Sequence, residues 1–386
     1  MKRGLYGPDH EAFRETVREF VAREVIPHVD RWESQRLIDR DVWLTAGKQG
    51  IIGLSSPQQY GGGGIGDYRF RAVVLEELAR ANTASLASSF SLQDDIVMPY
   101  IISLGTDEQR RRWLPGMNAG ELIGAIAMTE PGTGSDLRGI RTTATKVAGG
   151  WRVTGTKTFI TSGLQSDLVI TVVRTDPDPN SRSTALSLLV VERGMEGFTR
   201  GRKLDKVGQW AQDTAELFFE DVFVPDHNVL GEVGDGLGQL MSHLPLERLS
   251  IAAQAVAFAD AIFKGTVEYT RQREAFGRPV ADFQNTRFVL AEMATELDVT
   301  RAFVDKAILA YNEGVLTAVD AAKAKWWATD VQNRAVDRCL QLHGGYGYMM
   351  EYPVARAFQD ARVQKIYGGT NEIMKHVIGR DLTGRD

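Results

Sequence analysis

The chain holds one cysteine, Cys339, in 386 residues. A single thiol excludes an internal disulfide framework and any multi-cysteine zinc or iron–sulfur centre, and it suits a reducing compartment. There is no excess of positive charge: 45 Lys and Arg face 50 Asp and Glu, for a formal net charge of −5. With no basic tail or block, nucleic acid and anionic membrane are poor electrostatic partners. No run approaches the roughly 18 apolar residues of a membrane span. The six histidines (His10, His28, His227, His243, His343, His376) have no metal-ligand spacing. No H-E-x-x-H pair, Walker-type phosphate loop or G-x-S-x-G elbow occurs, so neither a metal centre nor a triad hydrolase is supported. A helix-like pattern begins within about ten residues of the start, which leaves no room for a signal peptide. A soluble cytoplasmic protein is expected, and at roughly 100–200 residues per domain it should have two or three of them.

Hydrophobic period divides the chain into three. Phe13, Val17, Phe20, Val21 and Val25 keep a helical stripe up to Pro27, and Asp67 to Ala81 reads as another helix. From 122 to 232 the pattern changes to short segments rich in Val, Ile, Thr and Phe. These are Trp151 to Thr161, Leu168 to Val173, Ala185 to Val191 and Leu217 to Val224, with Gly149-Gly150 as a two-residue hairpin signal. Beyond 233 the helical period returns. Leu290, Met293, Leu297, Val304, Ile308 and Tyr311 form one stripe before a stop at Gly314, and Ala318 to Leu342 forms a second long helix before Gly344-Gly345. The expected fold is α+β with segregated layers. Its parts are a helical domain (1–121), an antiparallel, barrel-like β domain (122–232) and a C-terminal four-helix bundle (233–386).

Gly61-Gly62-Gly63-Gly64-Ile65-Gly66 spells G-x-G-x-x-G, but it lies in a helix-rich region without βαβ alternation and reads as a mobile loop. Three other segments carry more. Ala127-Met128-Thr129-Glu130-Pro131-Gly132-Thr133-Gly134-Ser135-Asp136 follows the apolar strand Leu122 to Ile126. Arg273-Glu274-Ala275-Phe276-Gly277 precedes Gln284 by a fixed interval. Gln341-Leu342-His343-Gly344-Gly345-Tyr346-Gly347-Tyr348 is followed by Ile366-Tyr367-Gly368-Gly369-Thr370-Asn371-Glu372. In this order, from Phe13 to Arg380, they resemble the acyl-CoA dehydrogenase family, and Leu244-Pro245-Leu246-Glu247-Arg248-Leu249 looks most like its long-chain branch.

That resemblance implies FAD, α,β-dehydrogenation of an acyl-CoA thioester, an electron-transfer flavoprotein as acceptor and a homotetramer. It also implies roles for particular residues. Met128 and Thr129 would lie against the flavin, with Gly134 and Ser135 near the pyrophosphate and the thioester ligand. Phe159, Ile160 and Thr161 would pack on the flavin ring. Arg273 is a charged fork suited to phosphate. With Phe276, Gln284, Gln341, Gly344 and Gly345 it would serve the FAD of a neighbouring subunit. Thr370, Asn371 and Glu372 would meet FAD at a helix start, where N–H groups and the dipole favour acceptors.

The implied reaction needs a carboxylate base for the α-proton while the flavin accepts the β-hydrogen as hydride. A carboxylate becomes a competent base when desolvation raises its pKa. The family position after the Ile-Tyr pair is Gly368 here, without a side chain, and the long-chain and isovaleryl branch instead offers Glu247. Pro245, Leu246, Arg248, Gly368, Gly369 and Ser135 are the expected substrate contacts, with the backbone N–H of Gly368 free to polarise the thioester carbonyl. Pro245 either kinks its helix or starts it; in the second case the helix dipole would lower the Glu247 pKa and oppose desolvation. The small residues Ala84 to Ser91 read either as a pocket wall for a medium, long or branched tail or as tight helix packing. An acyl-CoA oxidase or flavin monooxygenase on the same scaffold, and a non-catalytic acyl-CoA-binding protein, are the alternatives.

Overall fold

A computed structural model describes residues 3–176 and 186–384. The N-terminal part is helical: α1 (Pro8–Phe20), α2 (Val29–Gln35), α3 (Arg40–Lys48), α4 (Tyr68–Arg80), α5 (Ala84–Ser91), α6 (Met98–Leu104) and α7 (Asp107–Asn118). The stripe read from Phe13 onward continues past α1, with Val21 and Val25 buried in a π-helical turn (Val21–Val25) that ends at Ile26-Pro27. A second π-helical turn, Leu92–Val97, joins α5 to α6. The glycine run is held in place. Gly63, Gly64 and Ile65 N–H groups donate to the carbonyls of Gly53, Ser56 and Leu54 at 2.9, 2.8 and 2.8 Å. A Cβ on Gly62 would fall 2.2 Å from the Ser56 carbonyl oxygen, so glycine here permits backbone contact, and the expected free loop is a pinned turn.

The middle part contains β1 (Gly124–Ala127), β2 (Thr143–Val147), β3 (Gly150–Thr161), β4 (Leu168–Arg174), β5 (Leu186–Glu192), β6 (Phe198–Lys203), β7 (Thr214–Pro225) and β8 (Val229–Leu230). The strand order is β6-β7-β3-β2-β4-β5-β8, with β1 on β4. The sheet is mixed. Its hairpins are antiparallel as expected, but β1 runs parallel to β4, as does β2 through Thr143 and Arg174. Those parallel pairings use connections that a reading of local turns does not detect. The β2–β3 turn is Ala148-Gly149, one residue earlier than expected, because Gly150 already pairs with Val147 and its Cβ position lies 2.4 Å from the Val224 carbonyl oxygen. Strand β6 was not anticipated: Thr199, Arg200, Arg202 and Lys203 make it polar. The expected strand start at Ala185 lies outside the described residues.

The C-terminal part comprises α8 (Gly236–Gln272), a short hairpin of β9 (Glu274–Ala275) and β10 (Arg278–Pro279), α9 (Gln284–Asn312), α10 (Ala318–His343), α11 (Pro353–Ala361) and α12 (Asn371–Thr383). Met293, Leu297, Val304 and Ile308 of the predicted α9 stripe are buried. Helix α8 organises the molecule. Its Leu249, Ala252 and Val256 enter a core shared with α1, α4 and α5, while Ala259 and Ile262 enter one shared with α9, α10 and α11. No described helix is long and apolar enough to cross a membrane.

Candidate active site

Glu247 lies within α8 and is 4% exposed. Pro245 is inside the helix rather than in its first turn, so the positive helix end is too distant to act on the carboxylate. Burial pushes Glu247 up to about 7; a hydrogen bond from Tyr100 and the charge of Arg248 oppose the rise. Desolvation therefore wins. The Tyr100 hydroxyl on α6 donates to Glu247 Oε1 at 3.0 Å.

The Gly368-Gly369 loop lies on the same stretch of α8. A Cβ on Gly368 would fall 2.4 Å from Ile251 Cδ1, one turn beyond Glu247, and one on Gly369 would lie 4.0 Å from Arg248 Nη2. Both glycines have left-handed backbone, at φ 63° and 88°. Lys325 of α10, fully buried, fixes the loop by donating to the Gly369 carbonyl at 2.7 Å and to Asn371 Oδ1 at 3.1 Å. Burial, and then the nearby Arg248, bring Lys325 down to about 7. Thr370 caps α12 by accepting from Ile373 N–H. The Asn371 side chain is buried against Lys325 and Thr329, so it braces α12 on α10, while Glu372 is exposed beside it. Arg248 is 6% exposed, and its Nε has no hydrogen-bond partner among the described residues.

The Met128-Thr129 strap leaves β1 and is tied to β3. Lys157 Nζ donates to the Met128 carbonyl at 3.0 Å and to Glu130 Oε1 at 2.8 Å, and Thr158 N–H donates to the Thr129 carbonyl at 2.9 Å. Glu130 also accepts from the N–H groups of Arg141 and Thr142. A bulge follows in β3 between Lys157 and Ile160. It leaves Phe159 at φ 59° and 68% exposed, while Ile160 and Thr161 resume pairing with β7. Gly134 and Ser135 sit on an exposed turn after the strap.

Arg273, Gln341, Gly344 and Gly345 meet at a cleft of about 510 Å³ between the end of α8 and the end of α10. Its lining contains one guanidinium and no carboxylate, and Arg273 stacks over Tyr346 at 5.5 Å without an ion pair among the described residues. That donor set suits an anion. Phe276 stands outside the cleft at the tip of the β9–β10 hairpin, 96% exposed, and Gln284 is exposed at the start of α9.

Three family models cover this chain: the acyl-CoA dehydrogenase N-terminal domain over residues 7–121, the middle domain over 125–222 and the C-terminal domain over 234–383. The chain belongs to the acyl-CoA dehydrogenase family. It is 50% identical over 380 residues to the mitochondrial long-chain specific acyl-CoA dehydrogenase of Sus scrofa, covering 98% of this chain and 88% of that one. Its fold is similar to the crystal structure of acyl-CoA dehydrogenase from Geobacillus kaustophilus (TM-score 0.96, 46% identity, 99% and 100% of the two chains). It is also similar to a glutaryl-CoA dehydrogenase from Mycobacterium smegmatis in complex with FADH2 (TM-score 0.92, 28% identity, 99% and 96%).

Within this family member, sequence reasoning passed over several residues around the site. Tyr100 is 147 positions from Glu247, and no periodicity links them. Lys157 was not singled out, although period-two alternation from Trp151 and Val153 puts it on the inward face of its strand. Glu130 stood inside a quoted motif, and its place between two turn residues was the available signal. The Ala84 to Ser91 segment is wholly buried: Ser85 donates to Glu33, Ser88 accepts from Gln254 and Ser91 from Arg71. Its small side chains serve helix packing.

Proposed function

We propose that the chain is an FAD-dependent enzyme that dehydrogenates an acyl-CoA thioester between its α and β carbons, with Glu247 as the base. The carrying observation is a buried carboxylate, pushed up to about 7, on the stretch of α8 whose Arg248 and Ile251 meet the Gly368-Gly369 loop. When bound, FAD supplies the acceptor for the β-hydrogen as hydride. Glu247 takes the α-proton, and an environment that excludes water is what makes it basic enough. The Gly368 N–H, with no Cβ to obstruct its approach, would polarise the thioester carbonyl, and Arg248 Nε, unpartnered among the described residues, adds a second donor for an acceptor atom of the ligand. Pro245 and Leu246 border the carboxylate on the same helix.

The residues fit a flavin dinucleotide: a hydrogen-bonded strap at Met128-Thr129, an outward Phe159 beside Ile160 and Thr161, an exposed Gly134-Ser135 turn, and the Thr370–Glu372 helix start. Arg273, Phe276, Gln284, Gln341, Gly344 and Gly345 would hold the dinucleotide of a neighbouring subunit in a homotetramer. The exposed Phe276 and Tyr348 (96% and 80%) support burial by a second chain. An electron-transfer flavoprotein is the proposed acceptor, and the three-part division at 1–121, 122–232 and 233–386 the proposed domain plan. The sole, buried Cys339 supports a reducing, cytoplasmic setting. The similarity to a long-chain specific enzyme favours a medium, long or branched acyl group.

Anaerobic flavin bleaching across a series of straight and branched acyl-CoAs tests this. Glu247→Gln should retain flavin and slow bleaching by about 10²–10⁴-fold, the usual contribution of a general base. Bleaching at the unsubstituted rate would overturn the assignment, and rapid peroxide formation in air would replace the flavoprotein acceptor with oxygen.

A further inference from the structure

Tyr100 reaches Glu247 from a different helix, and its ring is gripped. His243, one turn before Glu247 on α8, stacks on the Tyr100 ring with centroids 4.0 Å apart and planes 17° apart. His243 Nδ1 donates to the Gln239 carbonyl at 2.8 Å, and its Nε2 lies 2.6 Å from Ser103 Oγ, one turn beyond Tyr100 on α6. Helices α6 and α8 are thus cross-braced by Tyr100–Glu247 and Ser103–His243. Tyr100 is fully buried, so its hydroxyl would be left unsatisfied without the carboxylate.

Resting on the reading of Glu247 as the base, we propose that Tyr100 is a positioning residue: its hydroxyl fixes Glu247 Oε1, leaves Oε2 to receive the substrate proton, and favours the ionised carboxylate. A hydrogen bond to the charged form of an acid lowers its pKa, whereas burial alone raises it. Tyr100 therefore offsets part of the rise that burial imposes on Glu247. Arg248 is the charged group that acts on Glu247, His243 lies one turn earlier on the same helix, and Lys325 of α10 lies near Arg248 rather than the carboxylate. Further along α8, Ser250 donates to Asp95 of the Leu92–Val97 turn at 2.6 Å, and Asp95 pairs with Arg71 of α4 at 3.1 Å. Tyr100→Phe keeps the ring on which His243 stacks and removes only the hydroxyl that meets Glu247.

The test is the pH dependence of kcat/KM for anaerobic flavin reduction by an acyl-CoA, whose acid limb reports the free enzyme's base. Tyr100→Phe should move that limb up by about one to two pH units, the equivalent of one hydrogen bond to a charged group. The rate should recover at alkaline pH. Placing 3-fluorotyrosine at position 100 preserves the shape and strengthens the donor, and should move the limb down. It also keeps the test decisive where Tyr100→Phe fails to fold or to retain flavin. A limb unmoved by the fluorinated side chain overturns the role of Tyr100. Unimpaired bleaching by Glu247→Gln would instead overturn the underlying assignment of the base, so the two failures are distinct.

Discussion

Around Glu247 the chain closes on itself, whereas around Arg273 it is open. The carboxylate is 4% exposed, bonded to Tyr100, flanked by a buried Arg248 and faced by a loop that Lys325 fixes from below. The Arg273 cleft is solvent-facing, its guanidinium rests on Tyr346, and the adjacent Phe276 projects into water at φ 52°. A bulky residue with positive φ persists where surroundings over-determine it. Within the subunit, the pairing of Ala275 with Arg278 and the Phe283 ring 6.1 Å away hold this turn and still leave Phe276 96% exposed. The contrast separates two tasks. On the proposed reading, the base would be pre-organised within one subunit, where desolvation raises its pKa, and the cofactor cleft would be finished by assembly.

The closed construction extends to the Met128-Thr129 strap, and the sharpest way to break it is Lys157→Met. Lys157 and Glu130 form a buried pair at 2.8 Å with side chains 0% and 6% exposed. Burial depresses Lys157 to about 8, and Glu130, though burial pushes it up, stays below its usual range because Lys157 outweighs that effect. Removing the lysine leaves a buried carboxylate uncompensated, at a cost of about 3–5 kcal/mol. Denaturant unfolding should show that loss. Adding Glu130→Leu should recover only part of it, since Arg141 and Thr142 N–H groups then lose their acceptor; full recovery would contradict a strap built on Glu130.

The open region should respond in the opposite manner. Arg273→Ala removes a donor that meets no carboxylate in its own chain, so apoprotein stability should change by less than about 0.5 kcal/mol. FAD affinity should fall by about 10- to 100-fold, as expected for one hydrogen bond to a charged group. Flavin retention on dilution, measured beside the unfolding curve, checks both halves. A large stability loss with flavin unaffected would make Arg273 an ordinary structural residue and erase the contrast.

Much of the architecture was legible because period is a local property. The strand from Trp151 to Thr161 starts one residue early at Gly150, and the stripe from Leu290 to Tyr311 lies within α9 (Gln284–Asn312), which starts six residues before it and ends two before Gly314. The parallel β1–β4 pairing was not, since it joins residues more than forty positions apart through no turn signal. The site divides in the same way. Glu247 was singled out because Gly368 has no side chain and the Leu-Pro-Leu-Glu-Arg string stands out, and the structure shows it buried. Tyr100, Lys157 and Lys325 were invisible because each acts across helices or strands that only folding brings together. Asn371 sat in a recognised motif, yet its side chain turns inward to Lys325, which a motif cannot report.

The smallest expected effect probes why position 368 is glycine. Gly368→Ala places an L-residue at φ 63°, a strain of roughly 1–2 kcal/mol. It also directs a methyl group at Ile251 Cδ1, a side-chain end that can move. Ile251→Val deletes that atom and on its own should cost about 0.5–1.5 kcal/mol. If the contact matters, the double variant will be less destabilised than the sum of the singles, because neighbours that share a clash are not additive. Additive losses would assign the whole penalty to backbone strain. The same logic governs moving the base: Glu247→Gly with Gly368→Glu must bring a longer side chain past Ile251, so turnover should be restored better when Ile251→Val is also present. Equal restoration with and without it would show that Ile251 does not gate the position, leaving left-handed backbone as the reason that this chain carries its base on α8.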